Sequence, residues 1–308
     1  TMDYADVGFA ISSPILMLAE GKRVVRIHLE FSEDPRAEGT YRKLIEDLRE
    51  GNSEEDLHEA LFEVFGRGMD FAFKLMLSTE EGWIDVASVA SNTLFAESRP
   101  WDWNKITIGF TIPASVPPIV PIDTNVMPND GYSSKYPVLK FLLNPQKTPF
   151  VYTFLETLRF ENIDIEVDVD KVKNLSLFND LGNIDTSQPF SALGPVPQVG
   201  SYALIGSREI FRKNLTYLRF QIDWQNLPPK GLRAYYKEYF DEEIEITEDK
   251  FKVDLTALSG YEFKPDPDDD HLTFNLFPSD PTTTFTYIEM KDPRRLQIRP
   301  NPDIGPLD

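Results

Sequence analysis

The chain has 308 residues and a mass of 35.3 kDa, a length that predicts two domains with cores large enough to need no staples. Its 51 acidic against 31 basic side chains give a formal net charge of −20, which disfavours nucleic acid and anionic lipid as partners. Cysteine is absent, so disulfides and thiol nucleophiles are excluded, and no apolar run reaches the ~20 residues of a membrane-spanning helix.

The first stretch, TMDYADVGFAISSPILMLAEG, carries no basic leader region and no small-residue cleavage site, so synthesis and assembly in the cytoplasm without a signal peptide is the expectation. A start on Thr1 instead of Met is what a tag remnant or an excised piece of a longer chain would give. Ala10 to Leu18 is a short apolar strand candidate, and Glu20-Gly21-Lys22 a tight turn. From Val24 to Phe31 the pattern alternates, with Val25, Ile27, Leu29 and Phe31 on one face and Arg26, His28 and Glu30 on the other, which predicts a half-buried strand. Helical spacing follows over about 40–66: Tyr41, Leu44, Ile45 and Leu48 form one stripe, and Leu57, Leu61, Val64 and Phe65 a second behind an N-cap at Ser53.

Strand periodicity returns at Phe71 to Leu77, at Trp83 to Val86 and at Ile106 to Ile112. Pro113, Pro117, Pro118, Pro121, Pro128 and Pro137 then interrupt any ladder, which places a domain boundary near 130. The fold class predicted is mainly β: two tandem antiparallel β-sandwich-like domains, 1–130 with the inserted helical pair and 131–308 with a long loop at about 179–200 and a short helix at about 229–240.

In the second half, Pro137 to Leu143 reads as a strand. Ile163, Ile165, Val167 and Val169 then alternate with Asp164, Glu166, Asp168 and Asp170, so one face is core and the other wet. Leu218, Phe220, Ile222 and Trp224 repeat the pattern. The shared order of strand, helical insertion, strand, strand and prolines in the two halves predicts an internal duplication.

Between the strand-like ends of Leu175 to Trp224 lies a long proline- and glycine-punctuated excursion. Asn179, Asp180, Gly182, Asn183, Asp185, Ser187 and Pro189 are turn formers, while Phe178, Phe190, Leu193, Tyr202 and Leu204 imply that it is held by packing. The segments FNDLGNIDTSQPFSALGPVP, GSYALIGSREIF and LPPKGLRAYYKEYF, with the opening GFAISSPILMLAEGKRVVRIHLEF, resemble baseplate J-like wedge proteins of phage-tail-like contractile injection systems. Phe190, Gly194-Pro195 and Pro197 carry the likeness best, and the segments cover roughly a third of the chain. The resemblance implies a non-enzymatic structural component, present in several copies, whose partners are other baseplate, hub or sheath subunits and which forms part of an injection-system particle. The chain is shorter than a full wedge protein of that family.

No motif carries chemistry. The three histidines, His28, His58 and His271, lack any metal-ligand spacing, and phosphate-binding loops and nucleophile elbows are missing, so neither an enzyme, a cofactor nor a metal is expected. The run Asp266 to Asp270 fails the EF-hand pattern and reads as a solvated hairpin tip. Long ordered loops are commonly functional, so Phe190, Leu193, Pro195 and Pro197 are the candidate interface. Trp101 and Trp103 join them as exposed indoles that could anchor an interface or stack on sugar, against the alternative that both fold back onto a sheet edge. A carbohydrate-binding or adhesive β-sandwich is the second reading.

Overall fold

The computed structural model describes residues 7–33, 73–95, 105–127, 131–143, 158–240, 245–259, 261–265 and 272–291, together with single positions at 43, 46, 50, 53 and 56. It is mainly β and antiparallel throughout, and it divides into two compact units, Thr1–Asn174 and Leu175–Asp308.

Among the described residues the first unit has two four-stranded sheets. One runs in the order β1 (Gly8–Ser12), β7 (Val138–Leu143), β3 (Phe73–Thr79), β4 (Gly82–Asp85). The other runs β5 (Asn92–Phe95), β6 (Lys105–Ile112), β2 (Lys22–Glu33), β8 (Leu158–Asp170). A single core joins them. Leu75, Leu77, Leu139 and Phe141 come from the first sheet, and Val25, Ile27, Ile108 and Phe110 from the second. The period-2 alternation of β2, β6 and β8 causes this, because successive side chains leave a strand on opposite faces and only one set is apolar. Phe9 stacks on Phe141 at 4.5 Å and meets Phe73 edge-on at 5.8 Å, which closes one end of the core with aromatic contacts.

The boundary expected at 130 is corrected. β7 and β8 belong to the sheets of the first unit: β7 pairs with β1 and β3, and β8 pairs with β2 along twelve rungs from Lys22↔Asp170 to Glu33↔Leu158. The described residues of the proline-rich segment between β6 and β7, 113–127 and 131–137, make no ladder, in keeping with the missing N–H groups, yet the segment's Ile119 is packed into the unit. Ile119 is fully buried and bridges both Leu18 and Thr79. The carbonyls of the segment are met by Arg23, itself fully buried. Its Nη2 donates to Pro113 O at 2.7 Å and Val116 O at 2.8 Å, and its Nη1 to Pro117 O at 3.2 Å and Leu18 O at 3.4 Å. Ser78 adds a second post, its hydroxyl donating to Val120 O and accepting from Val138 N.

A short helix, α1 (Val86–Val89), follows β4 and is capped by Asp85, whose carboxylate accepts from Ala87 N at 3.0 Å. Most of the helical pair expected at 40–66 lies outside the described residues. The Ser53 cap is described: its hydroxyl accepts from Asp56 N at 3.3 Å.

Among the described residues the second unit consists of smaller pieces. A three-stranded sheet has the order β10 (Gly182–Ile184), β9 (Ser176–Asn179), β11 (Ala203–Gly206). Three two-stranded ribbons pair β12 (Leu218–Asp223) with β17 (Phe285–Met290), β13 (Lys252–Asp254) with β16 (Thr273–Asn275), and β14 (Ala257–Ser259) with β15 (Glu262–Lys264). Their core is small: Leu218, Leu272 and Met290, flanked by half-buried Ile210, Leu215, Phe220, Leu255 and Phe274. The helix expected at 229–240 is α2 (Gly231–Tyr235) followed by a 3-10 turn, Lys237–Tyr239.

The internal duplication does not survive the pairing. In the first unit the strand of residues 105–112 lies beside β2, whereas its supposed counterpart β16 pairs with β13, and β12 takes β17 instead. Short strands in similar order reflect a shared composition, not a shared ladder.

Candidate functional site

The expected interface residues of the second unit gather on and around the β10-β9-β11 sheet. β9 has an inverted pattern: Leu177 and Asn179 are buried, whereas Ser176 and Phe178 face out. Asn179 is held inside because every polar atom of its side chain is used. Its Oδ1 accepts from Leu181 N at 2.9 Å, and its Nδ2 donates to Ala192 O at 3.3 Å and Ser191 O at 3.4 Å. One residue therefore closes the β9–β10 hairpin and ties the following loop to the sheet. Gly182, at φ +114°, takes the backbone region that an L side chain avoids.

The loop after β10 is shaped by short-range bonds. Ser187 N donates to Asp185 Oδ1, Gly194 N to Ser191 O, Gln198 N to Ser201 Oγ, and Ser201 N to Gln198 O. Hydrogen bonds from the Ser187 side chain and backbone hold the Asp185 carboxyl below its ordinary value of 3.8. Because turns hold the loop, its apolar side chains are not consumed in folding it. The expectation that Phe178, Phe190, Tyr202 and Leu204 pack is corrected: each is exposed.

Phe178 and Leu204 are opposite one another across β9 and β11, so their exposed side chains form one patch. Leu181 at the hairpin tip is 76% exposed and Val196 in the loop 75%. Among the candidates, Phe190, Pro195 and Pro197 are exposed and Leu193 is half-buried. Trp101 and Trp103 lie outside the described residues, as do His58, His271 and the Asp266 to Asp270 run. His28 is described on the outer face of β2, where its Nδ1 shares a hydrogen bond of 2.9 Å with Thr107 Oγ1. Among the described residues no cluster of three or more His, Asp or Glu could hold a metal ion.

No protein-family model matches this chain, and no curated protein matches it.

The charge distribution marks the same surface. Charged residues make up 27% of the chain, yet residues 175–206 contain only Asp180 and Asp185, with no lysine, arginine, glutamate or histidine. Of the described exposed large apolar side chains, Val7, Val126 and Phe160 belong to the first unit, and all the others to the second. A sheet face depleted of charge and enriched in exposed Phe, Leu, Val and Tyr has the composition of the centre of a protein–protein interface. Sequence reasoning found the loop but missed Leu181, Val196 and Val199 as exposed apolar groups, although the scarcity of charge over 175–206 was available as a signal.

Proposed function

We propose that the protein is a non-enzymatic structural component acting through protein–protein interfaces, resembling part of a baseplate wedge protein of a contractile injection system. The observation that carries this reading is the β10-β9-β11 sheet and its loop, where a nearly uncharged segment leaves Phe178, Leu181, Phe190, Val196 and Leu204 exposed on a strongly acidic chain. Burying a Leu or Val side chain stabilises by about 1.5–3 kcal/mol, so a partner that covers this surface gains a driving force that the isolated chain leaves unused. The partners under this reading are hub, sheath or other baseplate subunits.

Leu181→Asp with Val196→Asp tests it. Both positions are exposed, so the isolated chain keeps its fold, with thermal unfolding moved by a stability change of no more than about 0.5 kcal/mol. In cells that produce the native protein, the variant leaves the fast-sedimenting fraction that contains the wild-type chain. A folded variant that still sediments with particles in wild-type amount refutes the reading.

The carbohydrate-binding alternative draws on Tyr235, Tyr236 and Tyr239, which meet edge to face at 5.0 and 6.1 Å with Tyr235 and Tyr239 exposed. Glycan-array binding lost in Tyr235→Ala with Tyr239→Ala favours it.

A further inference from the structure

We propose that the outer edge of β8 is a docking rail for an extended segment of another protein in which basic and aliphatic side chains alternate. β8 is thirteen residues long, and among the described residues it pairs only with β2, which leaves the outward backbone N–H and C=O groups of its middle, residues 163–169, to a further strand. Its register with β2 shows what such a strand would cover. On the rungs Leu29↔Ile163, Ile27↔Ile165 and Val25↔Val167, the β2 member is fully buried while the β8 member is only half-buried, although both face the same core. The difference is lateral: among the described residues β2 has a strand on each side and β8 has one. Aliphatic side chains of an added strand would close that side.

On the other face the edge is acidic. Asp164, Glu166, Asp168 and Asp170 are exposed at two-residue intervals. Arg26 Nη1 reaches Asp168 Oδ2 at 2.6 Å, and His28 Nε2 lies 3.6 Å from Glu166 Oε2. Among the described residues no three carboxylates converge as metal ligands, and carboxylates spaced along one strand face are suited to a row of cations one strand spacing away. The same charge row argues against a second copy of this chain, since β8 against β8 would set carboxylates opposite carboxylates. The proposal stands apart from the reading of residues 175–206, and Leu181→Asp with Val196→Asp should leave it untouched.

The test uses a blocked ten-residue peptide alternating lysine and valine, titrated by fluorescence anisotropy against the full chain at low salt. Saturable one-to-one binding is expected, with amide exchange slowed at residues 163–169. Affinity should fall at least about tenfold for the fully N-methylated peptide, which keeps the charges but loses the backbone donors, and by a similar factor for Asp164→Asn with Glu166→Gln, which keeps the shape and removes charge. Absence of saturable binding to the folded wild-type chain overturns the proposal. Equal binding of the N-methylated peptide, or protection that appears away from β8, overturns it as well, since charge alone would then account for the contact.

Discussion

Replacing Arg23 with Met tests whether the proline-rich crossing of the first unit is held by one guanidinium. The side chain is fully buried, and among its hydrogen bonds to described residues those to Pro113 O at 2.7 Å and Val116 O at 2.8 Å are short. A hydrogen bond from a charged donor is worth about 1.5–3 kcal/mol net, so these two account for about 3–6 kcal/mol, and the longer pair at 3.2 and 3.4 Å adds little. Methionine fills most of the stem's volume, so the loss reports the head group and not a cavity. The expected cost is about 3–5 kcal/mol, a large share of the about 5–15 kcal/mol that holds a typical domain folded. Arg23→Lys keeps the charge but cannot reach four carbonyls with one ammonium, and about half the loss is expected. Native-state amide exchange reads both quantities: the slowest amides of β2 and β6 report the unit's stability, and those near Ile119 report local release. A change below about 1 kcal/mol for Arg23→Met, with exchange near Ile119 unaltered, refutes the reasoning.

Ser78→Ala leaves Val120 O and Val138 N without their shared hydroxyl and should cost about 1–3 kcal/mol by the same exchange measurement. Asn179→Ala should cost about 1–2 kcal/mol and open the loop to protease near Ser191. Asn179→Asp should open it further above the carboxyl's titration, because a carboxylate would then face the Ser191 and Ala192 carbonyls that now receive N–H groups. Lys213 and Glu209 form an ion pair at 3.5 Å with side chains only 15% and 11% exposed, and burial pushes the Lys213 ammonium below its ordinary 10.5 despite the nearby Glu209 charge. The unfolded chain therefore binds more protons just below 10.5 and stability rises with pH there, so the urea midpoint should climb across that alkaline window in the wild type and not in Lys213→Met with Glu209→Leu.

The faces of β2, β6, β8 and β12 were legible because a period of two, sustained over six or more residues, leaves a strand only one way to turn toward a core. Arg23 was legible in principle by the same rule. It shares the parity of Val25, Ile27, Leu29 and Phe31, and an arginine on the buried side of a strand demands acceptors, which Pro113, Val116 and Pro117 of the proline-rich segment supply as carbonyls. Reading those prolines only as ladder breakers moved the domain boundary away from its place between Asn174 and Leu175. β17 was missed because Thr286 interrupts its apolar face. The hydroxyl is acceptable there since it accepts from Trp224 Nε1 and donates to Leu276 O, a long-range arrangement that no local pattern announces.

The candidate surface was half legible, and the missing half has a physical cause. Turn chemistry is local, so the excursion and its punctuation could be read from Asn179, Gly182, Gly194 and Gly200. Periodicity, by contrast, divides a strand into two faces without saying which is covered when neither is uniformly apolar. In β9 the outcome reverses ordinary hydrophobicity: Asn179 goes inside because its three hydrogen bonds remove the cost of burying an amide, and Phe178 is left outside. An aromatic residue placed outward opposite Leu204, on a segment nearly free of charge, gains only about 0.2–1 kcal/mol from that cross-strand pair in the isolated chain. Under the proposed function that arrangement has a use only when another protein covers the sheet, which is why substitutions at Leu181 and Val196 should separate assembly from stability while Asn179 couples the two.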